Sequence, residues 1–241
     1  MRNLCKVEFK VLFKLKLLYL ELVVVFLLAI VMGIVSLLNN ESSLSSLFNG
    51  MFIISMIYPA LGGTFLLTDF KQKTINNKII AGHSRFNIYT TKLIALIVLY
   101  VISIIAYYIP ATIISFIGPS FDINWTILFK NFFIVGLAGM FNICMTLFFN
   151  MILHAEVGLA IGTIMTEVFS MGSMFLLEFL SLSDKYKTLS EWVAAFPPAK
   201  IMMLTMEAAP EHIEYTVVMT LIACTMFFFG GFAIFRTQDL P

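Results

Sequence analysis

The amino-acid sequence predicts an all-α integral membrane protein with six transmembrane helices in a single domain, residues 1–241. Its residues are 60% hydrophobic and 12% charged, whereas a soluble domain averages roughly 25% charged residues. Several uncharged runs approach the roughly 20 apolar residues that a helix needs to cross the hydrocarbon core of a bilayer. Short polar segments separate these runs, as in a multi-pass membrane protein.

The charge distribution predicts the orientation of the chain. We place the spans at 18–38, 48–68, 93–117, 127–150, 157–181 and 214–236. An even number of spans puts both termini on one side of the membrane. That side holds eleven basic residues: Arg2, Lys6, Lys10, Lys14, Lys16, Lys71, Lys73, Lys78, Arg85, Lys92 and Arg236. The other side holds Lys130, Lys185, Lys187 and Lys200. Because cytoplasmic segments are enriched in Lys and Arg, we expect both termini on the cytoplasmic face of the cell (plasma) membrane.

Residues 1–17 form a separate basic element before the first span. Helical spacing puts Arg2, Lys6, Lys10, Lys14 and Lys16 on one broad arc. The opposite arc carries Leu4, Val7, Val11, Leu12 and Leu15. This pattern predicts an amphipathic helix that lies in the membrane interface and contacts lipids. A basic tail that serves only to orient the chain is the alternative.

The outer segment 182–213 is too polar to span the membrane, although it is long. It contains Trp192, the pair Pro197-Pro198 and a mixture of charges. Backbone at membrane depth must have its hydrogen bonds satisfied. The sequence therefore predicts short extracellular re-entrant or interfacial half-helices that are interrupted at the prolines.

Residues 69–92 form the longest polar, basic stretch inside the chain, with five basic residues and one acid. We expect Thr74–Ala81 to form two helical turns, with Ile75 and Ile79 on one side and Lys78 beside them. Gly82 is a suitable stop, and Ser84 can cap a second helix with Arg85 in its first turn. An ordinary basic loop that obeys the positive-inside rule is the alternative reading.

The fifth span carries acidic residues at a regular interval. Glu156, Glu167 and Glu178 recur every eleven residues, which is close to three whole helical turns, so the carboxyl groups share one stripe about 16 Å apart. Ser170 and Met174 fall close to this stripe. We interpret Glu167, Ser170, Met174 and Glu178 as part of a translocation path for cationic cargo.

The fifth span also has features that allow a simpler reading. Gly158 and Gly162 lie opposite the acidic stripe, where a neighbouring helix can pack closely. Glu167 would lie near the middle of the membrane, where an ionised carboxylate is costly. The alternative is that Glu167 is protonated or hydrogen-bonded to Asn142 or Asn131, and that the outer two acids are simple interface charges.

The sequence lacks the motifs of common enzymes. It contains no GxxxxGK[ST], HExxH or GxSxG pattern, and its three histidines are scattered over different segments. The three cysteines form no CxxC pair and are expected to be reduced. We therefore expect neither a catalytic residue, a metal site nor a bound cofactor in this chain, and no nucleic-acid partner.

The basic segment and the overall layout together resemble a known family, the ABC type-2 exporter permeases. The residues that carry the local resemblance are Asp69, Lys73, Thr74, Ile75, Lys78, Gly82, His83, Ser84, Arg85, Ile88, Tyr89 and Lys92. The basic N-terminal helix, six spans, cytoplasmic ends and proline-broken outer segment extend the resemblance over essentially the whole chain. Gly82 departs from the pattern, because many relatives have proline there.

The resemblance implies a transport permease rather than an enzyme. Thr74 to Ala81 would be a coupling helix that docks on a separate ABC ATPase, which binds ATP and Mg and is present in two copies. The implied ATPase-coupling residues are Thr74, Ile75, Asn77, Lys78, Ile79, Gly82, Ser84 and Arg85. A second copy of this chain or a sister permease would complete a dimer, and small bacterial members export amphipathic peptides of the bacteriocin or toxin type or hydrophobic drugs.

A second class of function remains open from the residues alone. An ion-coupled secondary carrier, or a membrane module that binds a substrate, would use Glu167 and need no ATPase. The sequence shows no pair of interrupted helices in symmetric positions, which argues against the inverted repeats of many carriers. An ATPase reading frame beside this one in the same operon would favour the exporter.

Overall fold

The structure, a computed structural model, describes residues 2–39, 51–117, 125–153, 156–182, 184–203 and 212–238. Within these residues it contains helices and turns only. The helices are α1 (Arg2–Leu12), α2 (Lys16–Leu38), α3 (Met51–Lys71), α4 (Thr74–Ile80), α5 (Arg85–Ile117), α6 (Trp125–Leu153), α7 (Glu156–Ser181), α8 (Lys187–Ala194), α9 (Pro197–Met203) and α10 (Ile213–Thr237), with a 3-10 turn at Asp184–Tyr186.

Five of the described helices are long and apolar enough to cross a membrane: α2, α5, α6, α7 and α10. The chain is therefore an all-α, multi-pass membrane protein, as the sequence predicts. The second predicted span, 48–68, falls mostly within α3, which has 21 residues but is not among these five. Residues 48–50 lie outside the described residues. The count of six spans stays a prediction.

Helix α6 forms the centre of the bundle. It packs against α3, α5, α7, α9 and α10, while α2 packs on α5. The ring of Tyr58 from α3 meets the ring of Tyr100 from α5 edge to face, with their centroids 5.1 Å apart. Both hydroxyl groups donate hydrogen bonds to backbone carbonyls of neighbouring helices, Leu96 O and Val135 O, at 3.0 Å. Buried tyrosines thus join α3, α5 and α6.

Two glycines let α7 pack closely on α6, as their spacing predicts. A side chain at Gly158 would meet the backbone oxygen of Phe149 at 3.1 Å, and one at Gly162 would meet the Phe149 side chain. Asn150 of α6 lies beside Gly162 and also beside Gly63 of α3. The three helices therefore meet around one buried amide group.

Helix α1 packs against α5 through a narrower face than its amphipathic pattern suggests. Leu4, Glu8 and Leu12, spaced four residues apart, are buried, whereas Val7 is half exposed. The basic side chains Lys6 and Lys10 point away from this contact and are exposed. An acidic residue therefore occupies the middle of the buried face.

Two short helices, α8 and α9, connect α7 to α10, and α9 begins at Pro197. Helix α9 packs against α6 and α7 and its first residues are buried. Trp192 of α8 stacks on Tyr215 of α10, with the ring centroids 4.7 Å apart. A break at the prolines is thus present. Residues 204–211 lie outside the described residues, and a re-entrant path through the membrane stays a prediction.

Candidate functional site

Helix α4 has one buried face and one exposed face. Ile75 and Lys78 point into the protein and are buried, and Ile79 packs against the core. Ile80 is 84% exposed, and Asn77 beside it is also exposed. Of the residues predicted to contact an ATPase, Ile75 and Lys78 are therefore enclosed by this chain. The surface that α4 offers to a partner is centred on Asn77 and Ile80.

The turn after α4 is built around Gly82. Its φ of +86° lies in the left-handed region, which glycine adopts readily and proline cannot. Proline, which many members of the family that this chain resembles have at this position, would therefore require a different turn. Ser84 Oγ then accepts a hydrogen bond from the backbone N–H of Asn87 at 3.2 Å, so it caps the start of α5 as predicted.

Four charged side chains form a closed ring behind α4, which we call the charge ring: Glu8, Lys78, Asp69 and Lys92. Lys78 Nζ donates to Glu8 Oε1 at 2.5 Å and to Asp69 Oδ2 at 2.6 Å. Lys92 Nζ donates to Glu8 Oε2 at 2.6 Å and is also paired with Asp69. Two acids and two ammonium groups balance each other, and their side chains are at most 10% exposed.

The charges of the ring favour the ionised forms of Asp69 and Lys78 in spite of their burial. Burial by itself would raise the pKa of the Asp69 carboxyl, but the charges of Lys92 and Lys78 and their hydrogen bonds hold that pKa below its ordinary value. Burial would likewise lower the pKa of Lys78, but Asp69 and Glu8 raise it above its ordinary value. Both pKa shifts favour the charged forms of Asp69 and Lys78.

Sequence reasoning missed this ring, although it named Lys78 as a contact for a partner. The available signal is the position of Glu8 among the apolar residues of α1, four residues from both Leu4 and Leu12. A charge in the middle of an apolar helical face requires a partner when that face packs. The identity of its partners is a matter of tertiary structure, because Lys78 and Lys92 lie 70 and 84 residues away.

Arg85 connects the start of α5 to the end of α10. Its guanidinium donates to the backbone oxygens of Phe235 at 2.8 Å, Arg236 at 3.1 Å and Gln238 at 2.6 Å. Phe235 and Arg236 lie in the last turn of α10 and Gln238 follows it. Carbonyls at the C-terminal end of a helix lack partners within the helix and attract a cation. Arg85 is thus used within the chain as a C-terminal cap.

A further ion pair joins α3 to α7 at the same end of the bundle. Lys71 Nζ lies 2.5 Å from Glu156 Oε1, and both side chains are largely exposed. Gln238 Nε2 donates to Ile152 O at 2.7 Å, which attaches the end of α10 to α6. Polar contacts at this end therefore link α1, α3, α4, α5, α6, α7 and α10.

The acidic stripe of α7 changes its surroundings along the helix. Glu167 is partly buried, and its Oε2 atom has no hydrogen-bond partner within the described residues. Ser170 faces the bundle and donates to Thr166 O at 2.9 Å. Glu178 is exposed and lines a groove of about 560 Å³ together with Met174 and other apolar side chains of α7.

Glu21 of α2 is a further buried carboxyl group, and the sequence analysis passed over it. Its side chain is almost fully enclosed, with the residue 6% exposed, and neither carboxylate oxygen has a hydrogen-bond partner within the described residues. The available signal is its place just inside the first apolar span, where an acid is expensive.

The described residues contain no group of three His, Cys, Asp or Glu side chains placed to hold a metal ion. The polar contacts at the α4 end hold helices of this chain together. Comparison with known proteins adds no family assignment, since no protein-family model matches the chain and no curated protein matches it significantly.

Proposed function

We propose that this chain is the transmembrane permease subunit of an ATP-driven ABC exporter. The observation that carries the proposal is the two-faced helix α4, which presents Asn77 and Ile80 outward while its inner face is fixed to the bundle. The exposed Ile80 side chain, on a short polar segment, is available for contact with a partner protein. The basic segment 69–92 and the layout of the whole chain support the same reading.

In this proposal the chain supplies the path and a separate ATPase supplies the energy. Two ATPase copies bind ATP and Mg and dock on the α4 surfaces of two permease subunits, either two copies of this chain or this chain and a sister permease. Closure of the ATPases moves α4, and rigid-body motion of the helices switches access from the cytoplasmic to the outer side.

The proposed cargo is an amphipathic peptide of the bacteriocin or toxin type, or a hydrophobic drug. The groove beside α7 supports this class, because Met171, Met174 and Phe175 line it and Glu178 adds a carboxylate. Methionine side chains adapt to apolar partners of different shapes, and a carboxylate favours cationic groups. Glu167, deeper in the same stripe, would contact the cargo in transit.

The test is co-purification of an ATPase subunit with variants of Ile80. Ile80→Asp should abolish co-purification while membrane insertion persists, because the exposed side chain can take an aspartate without entering the core. Ile80→Leu, the matched control, should retain it. Unchanged co-purification of Ile80→Asp contradicts the docking assignment. Ile75→Asp is unsuitable for this purpose, since Ile75 is 1% exposed and its replacement would disrupt the fold.

An ion-coupled secondary carrier is the second candidate function. Two observations favour it: Glu21 and Glu167 both carry buried carboxylate oxygens without hydrogen-bond partners within the described residues. Such groups inside a membrane can exchange protons during transport. Transport by purified vesicles without nucleotide hydrolysis, lost in Glu21→Gln or Glu167→Gln, would favour the carrier over the exporter.

A further inference from the structure

The charge ring joins helix α1 to three helices that follow one another later in the chain, α3, α4 and α5. Glu8 belongs to α1, Asp69 to the end of α3, Lys78 to α4 and Lys92 to α5. Each acid contacts both lysines and each lysine contacts both acids. No member can leave the ring without breaking two ion pairs, and the enclosed position leaves little water to replace them.

The backbone alone does not hold α4 in place. The helix has only seven residues, and it is entered through Lys73 and left through Gly82, both with positive φ. Such a short helix has little stability of its own. Its orientation therefore depends on the side chains of its inner face, of which Lys78 makes two ion pairs and Ile75 enters the core.

The ring also passes beyond α4 into the bundle. Lys92 lies in the second turn of α5, and its ammonium group sits over the ring of Phe65 of α3, 4.2 Å from the centroid. Displacement of α4 would pull on Glu8 and Asp69 through Lys78, and these acids are held in turn by Lys92. The ring thus adds a connection through charges to the short chain links between α3, α4 and α5, and it attaches α1, which is distant in the chain.

We propose that the charge ring is a mechanical link that makes α1, α4 and the adjoining ends of α3 and α5 move as one unit. Glu8 is the positioning residue that attaches α1 to this unit. The ring is a property of this chain by itself. Its use during transport rests on the proposed function, in which a partner ATPase applies force to α4.

The first test measures the distance between α1 and α4 in the purified chain. Spin labels are attached to cysteines that replace the exposed Lys10 and Asn77, in a background without the three native cysteines. The test variant is Glu8→Gln with Lys78→Met, which removes one acid and one base and leaves Asp69 and Lys92 as a balanced pair. We expect the distribution of distances between the two spin labels to be at least two-fold wider than in the labelled protein with an intact ring.

The matched control removes an ion pair of the same type outside the ring. Lys71→Met with Glu156→Gln deletes the α3–α7 pair at the same end of the bundle. The distance distribution in this control should equal that of the labelled protein with an intact ring. Equal widths in the test variant and the control would overturn the proposal, because α1 and α4 would then be held together by other contacts.

The second test asks whether the ring transmits motion, which a purely structural role does not require. A cysteine at Lys10 is labelled with a maleimide in membranes that contain the co-purifying ATPase, with and without ATP. We expect the labelling rate to change with ATP when the ring is intact, and this response to be lost in Glu8→Gln with Lys78→Met although the ATPase still co-purifies.

The two tests separate the link from the proposed function. A retained ATP response in the ring variant would overturn the link while leaving the exporter intact. Absence of any co-purifying ATPase would contradict the exporter, and the spin-label distances in the chain alone would still decide whether the ring holds α1 to α4.

Discussion

Gly139 determines how closely α5 and α6 approach each other. The ring of Tyr100 lies directly against its Cα atom, so that a methyl group at this position would overlap the ring. The ring cannot swing away freely, because its hydroxyl donates to Val135 O at 3.0 Å and its other neighbours are buried. Gly136, one turn earlier in α6, has open space instead.

The pair of glycines gives a prediction with an internal control. Gly139→Ala should lower the free energy of unfolding by about 1–3 kcal/mol, the usual cost of overpacking a core. Gly136→Ala should be neutral or stabilise by up to about 1 kcal/mol, because alanine favours the helix. Thermal unfolding in detergent measures both, and equal midpoints for the two variants would contradict the close approach.

Among the buried acids, surroundings rather than residue type decide the role. Glu8 is enclosed but meets two ammonium groups, whereas Glu21 is enclosed without a hydrogen-bond partner within the described residues. A carboxylate inside the protein is stable as an ion only when it is paired. Glu8 is therefore suited to holding helices together, whereas Glu21 makes no such contact within the described residues.

At the scale of elements, α4 is a surface element whose orientation is fixed from within. Its seven residues place Ile75 and Lys78 inward, which leaves Asn77 and Ile80 outward. In the proposed function, a partner that docks on α4 would therefore apply force to the charge ring, and through it to α1, α3 and α5. Arg85 extends the connection to the end of α10.

The charge ring should give the protein a defined dependence on pH. The folded pKa of Asp69 lies below its ordinary value of 3.8, so its contribution to stability is present above pH 3.8 and is lost as pH falls toward the folded pKa. The folded pKa of Lys78 lies above its ordinary value of 10.5, so its contribution is present below pH 10.5 and is lost as pH rises through the folded pKa.

We therefore expect the contribution of Asp69 and Lys78 to stability to be constant between about pH 5 and pH 9 and to decline on both sides. The measurement is the unfolding midpoint across pH for the unaltered protein and for Asp69→Asn with Lys78→Met, which leaves Glu8 and Lys92 as a pair. The difference between the two should shrink below pH 3.8 and above pH 10.5. A difference that grows there would contradict the assigned charges.

At the scale of the whole molecule, the two ends of the bundle are built differently. The end that contains α1 and α4 is joined by ion pairs and by capping from Arg85. The opposite end carries α8, α9 and the aromatic stack of Trp192 on Tyr215, a pairing typical of a membrane–water interface. The groove lined by Met174 and Glu178 lies toward this second end.

The predicted orientation can be tested with two exposed positions at opposite ends. Cysteines that replace Asn77 and Lys187 are introduced one at a time into a cysteine-free chain. If the termini are cytoplasmic, an impermeant maleimide should label Lys187→Cys in intact cells, and Asn77→Cys only after permeabilisation. The reverse pattern would invert the topology and place α4 out of reach of a cytoplasmic ATPase.

The amino-acid sequence by itself determined the class of the protein and the positions of its main helices, since apolar length and helical periodicity are local properties. It also placed the helix that begins at Thr74, the Ser84 cap, the Gly158 and Gly162 packing face and the break at Pro197, each of which depends on a few neighbouring residues.

Only the tertiary structure decided which side chains meet. Lys78 and Ile75 read as surface residues along the chain, but α1 and the bundle enclose them, and Glu8 is 70 residues from the lysine it binds. Contacts over such distances depend on how whole helices pack, and no local pattern records that. For the same reason the exposed face of α4, on which the proposed function depends, became visible only in the folded chain.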